Sequence, residues 1–451
     1  MKTELSRQKN IAPTMVGLLL LLTCLGRPAF GQSGLPRPVA PMTEELLGRK
    51  PLNAYGSLEG AIETMRAYRP LDLNAEVWKK ANLGRSYEEW ARQARELLRR
   101  GLHYELPPVD LQARTLERLE TDAFIREKIE FNTVPWFRVP GYFYIPKNVP
   151  LPAPALVVFH EWGGPMLFGA ERICGEPVHP AIVAHRAGNA SGRPLADWYA
   201  SQGYAVIVID AYHFGHRAPR GIGGYGAGGS LPESYDPAAL DEATLKKYEV
   251  LAARALYLGI RQLNWAGTTW AGVNYGDDSR CVDYLLSRKE VDPDRIGCTG
   301  LSGGGWRTNI MAALEPRIKA AVSVGWMTTG DTQQAYNVSG AIGTFNLLPG
   351  VWNRIDIPDL IAMAAPKAVM VVSGTEDTLF PPLGQREAAR QIADAYKWAG
   401  HAQRFRDYAP AKPHCYDAEI QVEALAWFDQ HLKEKRPRPS EKPTMPHPKP
   451  K

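Results

Sequence analysis

Arg295-Ile296-Gly297-Cys298-Thr299-Gly300-Leu301-Ser302-Gly303-Gly304-Gly305 is the stretch that decides the fold. Its first part is a short run of the buried-strand type, and its second part carries too much glycine to extend a strand. From Gly304 to Glu315 the chain turns helical in character. A strand that enters a helix through Gly-Leu-Ser-Gly-Gly puts Ser302 at the apex of a tight turn. Such a turn forces its central residue into strained backbone geometry and lifts the side chain clear of the chain. Gly300, Gly303, Gly304 and Gly305 are needed around it because a Cβ would collide with neighbouring backbone. The helix N-terminus behind Ser302 adds positive potential where an anion would form. Neither G-x-G-x-x-G nor a phosphate loop ending in Gly-Lys-Ser/Thr fits this turn.

Outward from this turn, apolar runs recur at Ala155–Phe159, Tyr204–Ile209, Ala320–Val324 and Ala368–Val372, with a shorter strand near Gln403–Tyr408. Helical stretches separate them at 239–263, 278–287, 304–315 and 384–399, and a last helix spans about 417–434. Strands alternating with helices predict an α/β fold, a mostly parallel sheet with helices on both faces. Ahead of it, Ile129–Phe131 and Val139–Ile145 read as two antiparallel strands joined through Pro135. Residues 74–122 look helical. Ser86-Tyr87-Glu88-Glu89 fits a capping box, and Trp90, Ala94, Leu97 and Leu98 form one apolar face. The expected organisation is a signal peptide over 1–31, a linker and helical extension over 32–122, a catalytic domain over 123–435 and a Pro/Lys-rich tail over 436–451.

A serine at its ordinary pKa is a poor nucleophile and needs a base, which itself needs an orienting acid. Ser373-Gly374-Thr375-Glu376-Asp377 follows the strand at 368–372, and Asp377 is placed as the acid with Glu376 as fallback. Lys412-Pro413-His414-Cys415 follows the next short strand and offers His414 as the base. An oxyanion hole needs two backbone N–H donors. Gly303 supplies one, and Trp162, in His160-Glu161-Trp162-Gly163-Gly164, is the favoured second, ahead of Glu161. His160, Glu161, Trp306 and Tyr212 are candidate substrate contacts. Trp162, Trp306 and Trp326 all fall where carboxyl-end loops build a pocket, although for any one of them taken singly wall packing is the better reading. His160-Glu161 is not a metalloprotease motif, since Gly164 stands where the second histidine belongs. Asp210, His213 and His216 could approach a metal, but nothing else in the sequence completes a site, so no metal or cofactor is expected.

The 53 basic and 48 acidic residues leave a net charge of +5, partly in the chain's two ends, and call for no nucleic-acid partner. Lys2, Arg7 and Lys9, the apolar run Met15–Leu25 and the small residues Ala29 and Gly31 read as an export signal cleaved after Gly31. The run is short of the roughly 20 residues that span a bilayer. Cys24 only faintly resembles a lipidation site. The expected location is secreted or periplasmic, with no stable membrane insertion. Cys174, Cys281, Cys298 and Cys415 would remain after cleavage and allow three pairings, with Cys298 favoured as a buried thiol.

From about 125 to 434 the chain resembles the bacterial dienelactone-hydrolase/acetyl-xylan-esterase-like branch of the α/β-hydrolases, which share the chain order serine, acid, histidine. Phe137–Tyr142, His160–Gly164, Val291–Gly305, Asp377 and His414 carry the likeness. It implies serine-type ester hydrolysis through an acyl-enzyme, without a cofactor, on small-molecule or carbohydrate esters. Glucuronoyl esterases are similar too, but carry cysteine before the nucleophile and a basic pattern after it, where this chain has Leu301 and glycines. A prolyl-oligopeptidase-type peptidase shares the triad order but generally carries a large β-propeller, for which the residues ahead of this core leave no room. The inserts at 165–195 and 217–240 are where such families set their substrate.

Overall fold

The computed structural model describes residues 84–105, 109–175, 179–221, 231–336, 342 and 346–433. The export signal, the linker, the first residues of the extension and the tail lie outside them.

Nine strands form one sheet in the order β1-β2-β3-β5-β4-β6-β7-β8-β9. They are β1 (Arg114–Glu120), β2 (Phe124–Val134), β3 (Phe137–Pro146), β4 (Ala153–Phe159), β5 (Ala205–Ile209), β6 (Val291–Leu301), β7 (Ile318–Val324), β8 (Ala368–Val372) and β9 (Phe405–Tyr408). β1, β2 and β3 pair antiparallel, as do β3 and β5. From β5 to β9 every pairing is parallel. This is the α/β-hydrolase fold, and the reason is visible in β4. Ala155, Val157 and Phe159 point into one buried layer and Leu156 and Val158 into the other, so both faces need helices.

Those helices are α1 (Tyr87–Leu102), α2 (Pro180–Ala190), α3 (Leu195–Ser201), α4 (Glu242–Trp265), α5 (Trp270–Leu286), α6 (Gly303–Leu314), α7 (Pro382–Trp398) and α8 (Ala418–Phe428). α1 is capped as its sequence predicts: Ser86 Oγ accepts the Glu89 N–H at 3.2 Å. Trp90, Ala94 and Leu98 are buried on its inner face. α6 is buried along its whole length. Arg307 fixes it to α5 through both Asp278 oxygens, at 3.0 and 2.5 Å, under a guanidinium 4.5 Å from the Phe159 ring. Pairing lets two charges remain buried there, and removing either alone would leave the other uncompensated.

One expectation needs correction. Residues 114–120, read as helical, form edge strand β1, which is exposed throughout and held by its ladder with β2. Only a partner strand sets that structure, and local composition does not reveal it. The last helix, expected over about 417–434, is an α-helix over Ala418–Phe428 that continues as a π-helical turn over Asp429–Lys433. All four cysteines are free and buried, so Cys298 is the buried thiol that its strand suggested and none of the three possible pairings forms.

Candidate active site

Ser302 sits between β6 and α6 with φ 55° and ψ −117°. For a residue with a Cβ this is a sparsely populated region, costing on the order of 1–3 kcal/mol unless the surroundings enforce it. They do. The Ser302 N–H donates to Val324 O at 2.8 Å, and its carbonyl accepts the Trp306 N–H at 2.9 Å. A Cβ on Gly300 would lie 2.6 Å from Phe159 O, one on Gly305 2.5 Å from Val324 O, and one on Gly304 would collide with Phe159 O. The glycines therefore let α6 close against the ends of β4 and β7.

Asp377 and His414, the expected acid and base, arrive on a second structure. Parallel pairing of β8 with β9 continues beyond both strands as backbone rungs. Ser373 N–H donates to Tyr408 O, Thr375 N–H to Pro410 O and Glu376 N–H to Lys412 O, at 3.0, 2.9 and 3.1 Å. These rungs carry Asp377 and His414 to the same depth. His414 Nδ1 lies 2.6 Å from Asp377 Oδ2, and the Leu379 N–H donates to Asp377 Oδ1 at 2.8 Å. A buried carboxylate can only accept here, so Nδ1 carries the proton and Nε2 is left as the basic nitrogen. His414 lies over Gly325, where a Cβ would stand 3.0 Å from His414 Cε1. Gly325 directly follows Val324, the partner of the Ser302 amide, so His414 hangs beside the turn at Ser302. Phe380 stacks on the imidazole at 6.2 Å and is itself edge-on to Trp326.

The opposite flank is the loop after β4. His160 and Glu161 were expected to meet substrate, and the structure gives them other partners. The Ala211 N–H donates to His160 Nε2 at 2.9 Å, so Nδ1 is the protonated nitrogen and donates to Glu161 O at 2.8 Å. Burial, with Arg172 and Arg307 close by, pushes the His160 pKa down to about 3. Burial alone would raise Glu161, yet His185 and Arg172 outweigh it and hold the carboxyl at about 2. The Glu161 carboxylate pairs with His185 Nε2, and Arg172 Nη1 is 3.9 Å away. Trp162 is packed edge-on to Phe214 and Trp270 at 5.2 and 5.1 Å. Trp270 meets Trp306 at 6.4 Å, and the Trp306 indole N–H donates to Asn346 Oδ1 at 3.1 Å. Trp162, Trp306 and Trp326 thus each pack against aromatic neighbours. Tyr212, half-buried, lies against Phe137 and His213, and its carbonyl accepts the Trp270 indole N–H.

Sequence reasoning missed Arg172, Glu249, Trp270, Gly325 and Phe380. Only Gly325, a glycine closing a strand, left a local signal. Among the described residues one group could approach a metal: Glu171, Asp210 and His216, whose ligand atoms lie within 4.8 Å of one another. The sequence had offered Asp210, His213 and His216. Instead His213 turns away to pack on Gly259, and Glu171 enters from the insert. His216 bridges the two carboxylates at 3.2 and 3.3 Å, and backbone N–H groups of Gly169, Ala170 and His216 already occupy the carboxylate oxygens. Asp210 is thereby a loop anchor.

Several known proteins are similar to this chain. The model of the Prolyl oligopeptidase family matches residues 263–435, the segment that carries Ser302, Asp377 and His414. A presumed hydrolase of Bacillus subtilis, YtaP, is 23% identical over 295 residues, 65% of this chain and 84% of that protein. A presumed acetylxylan esterase A of Neosartorya fischeri is 30% identical over 158 residues, 31% of this chain and 41% of that protein. A presumed acetyl xylan esterase from Bacteroides fragilis superposes with a TM-score of 0.60 at 17% identity, covering 79% of this chain and 83% of its own. The matched proteins are hydrolases and esterases by name, and the superposition agrees with the α/β-hydrolase fold.

Proposed function

We propose that this protein is a serine carboxylester hydrolase that works through an acyl-enzyme and removes acyl groups, acetyl foremost, from carbohydrate-type substrates. The observation that carries the reading is the His414–Asp377 contact of 2.6 Å beside a serine held at positive φ. Asp377 fixes the imidazole tautomer and stabilises the imidazolium. His414 takes the Ser302 proton as the serine attacks the ester carbonyl, then returns it to the leaving alcohol. Water, activated by the same imidazole, releases the acid and frees Ser302. Gly303 N–H, at the first turn of α6, and Trp162 N–H would bind the oxyanion. The acetylxylan esterase likenesses favour acetylated carbohydrate as substrate.

The match to the Prolyl oligopeptidase family supports a second reading, a serine peptidase. It spans only the triad-bearing half of the fold, which esterases share, so the ester reading ranks first. Export is part of the proposal. The apolar run near the N-terminus supports it, and no helix among the described residues is long and apolar enough to cross a membrane.

The deciding experiment assays 4-nitrophenyl acetate, acetylated xylan and a proline-containing peptide with wild type and Ser302→Ala. Acetyl release by wild type alone is expected. Acetyl release that survives in Ser302→Ala defeats the mechanism, and peptide cleavage without esterase activity transfers the reading to the peptidase.

A further inference from the structure

Arg172 belongs to the insert after β4 and is buried. Its guanidinium donates to three carbonyls of one loop: Nη1 to Glu161 O at 2.7 Å and Gly163 O at 2.6 Å, and Nη2 to Pro165 O at 2.5 Å. The guanidinium also lies 5.3 Å from the Phe214 ring, which packs on both Trp162 and His160. Desolvation lowers its pKa, but a guanidinium stays charged. A desolvated cation gripping alternate carbonyls is a strong, directional clamp.

The clamp has a consequence for the amides. The peptide bonds of this loop are trans. In a planar trans peptide the C=O and the following N–H point in opposite directions. Drawing Glu161 O, Gly163 O and Pro165 O toward Arg172 therefore turns the N–H groups of Trp162, Gly164 and Met166 away from it. Of these, Met166 N–H donates to Glu249 Oε2 at 2.5 Å. The Trp162 peptide is held more firmly still, because Glu161 O also accepts from His160 Nδ1. β4 and β6 pair in register Phe159 with Gly300, so this loop leaves the sheet beside Ser302.

We propose that Arg172 is the positioning residue of the oxyanion hole: by holding the carbonyls of residues 161, 163 and 165, it aims the Trp162 N–H at the oxygen that becomes negative when Ser302 attacks. The inference rests on the serine-hydrolase reading and deepens it. Arg172 touches no reacting atom. Its side chain fixes which side of the loop presents donors, a task that Lys, a point charge without the fork, cannot reproduce.

The test uses the full chain with Arg172→Lys and Arg172→Met, read by kcat and KM on 4-nitrophenyl acetate and by the rate of fluorophosphonate labelling of Ser302. Losing the aim of one oxyanion donor should lower kcat about 10- to 100-fold. KM should change little, and labelling should slow in step with kcat. A folded Arg172→Lys with wild-type kcat overturns the proposal, as does a loss confined to KM. Should neither variant fold, wild type labelled with 15N-tryptophan decides: the Trp162 amide signal must shift when a phosphonate forms on Ser302, and an unmoved signal overturns it. Labelling does not depend on the natural ester, so failure of the substrate reading leaves this test intact.

Discussion

The loop after β4 and the paired loops after β8 and β9 flank the same serine from opposite sides of β6, and they are built by different means. On the acid–base side, strand pairing does the work: the ladder of β8 and β9 continues into the loops until Asp377 and His414 meet. On the oxyanion side no ladder reaches past Phe159. There the chain is held by buried charge, with Arg172 on three carbonyls, Glu161 on His185, Glu249 on two amides and His160 between two backbone groups. A ladder tolerates change in side chains, whereas a charge clamp fails with one of them. The acid–base flank should therefore break through chemistry and the oxyanion flank through position or fold.

The largest effect belongs to the acid–base flank. Asp377→Asn keeps the shape of the pair but supplies an N–H where the imidazole needs an acceptor, so His414 adopts the wrong tautomer. We expect kcat to fall by about 10⁴-fold with stability nearly unchanged. A drop below tenfold in steady-state assay would remove Asp377 from the triad.

Trp270→Ala tests the other flank. The indole stands between Trp162 on the oxyanion loop and Trp306 on α6, and is buried. Truncation should cost about 3–5 kcal/mol in chemical denaturation. It should also lower kcat without moving the pH profile, because the loss falls on loop position. A variant as stable as wild type would mean the aromatic wall carries no load.

His160 makes the oxyanion flank acid-sensitive. Its folded pKa, about 3, lies below the usual 6.5, so the unfolded chain binds the extra proton between those values. Stability from this group is complete above about pH 6.5 and declines as pH falls through the window, by about 2 kcal/mol at pH 5. His160→Gln cannot titrate. The difference between its stability at pH 7 and at pH 5 should be smaller than that of wild type by about this amount, and equal differences would discard the role.

The same contrast explains what the sequence made legible. The parallel strands, the turn at Ser302 and the positions of Asp377 and His414 follow from local pattern, because each residue closes an apolar run and strand order does the rest. Arg172 and Glu249 could not be read that way. Each is a charged residue in an unpatterned insert or on an amphipathic helix, where solvent exposure is the ordinary expectation. Their burial depends on carbonyls and amides brought near by tertiary structure. β1 failed for a related reason: an exposed edge strand has no buried face to impose a period of two.

Glu376 supplies the smallest effect and the finest cut. From sequence it competes with Asp377, since both follow β8 in one loop. The structure separates them by direction: the Asp377 carboxylate is buried on His414, while Glu376 is exposed and contributes a backbone N–H to Lys412 O. Alanine keeps that N–H and leaves no buried group unpaired. Glu376→Ala should therefore stay within about 0.5 kcal/mol in stability, as surface substitutions do, and within about twofold in kcat. A loss comparable to that of Asp377→Asn would show that the two carboxylates share the imidazole, and that the rungs between the loops fix a region where sequence had asked for a residue.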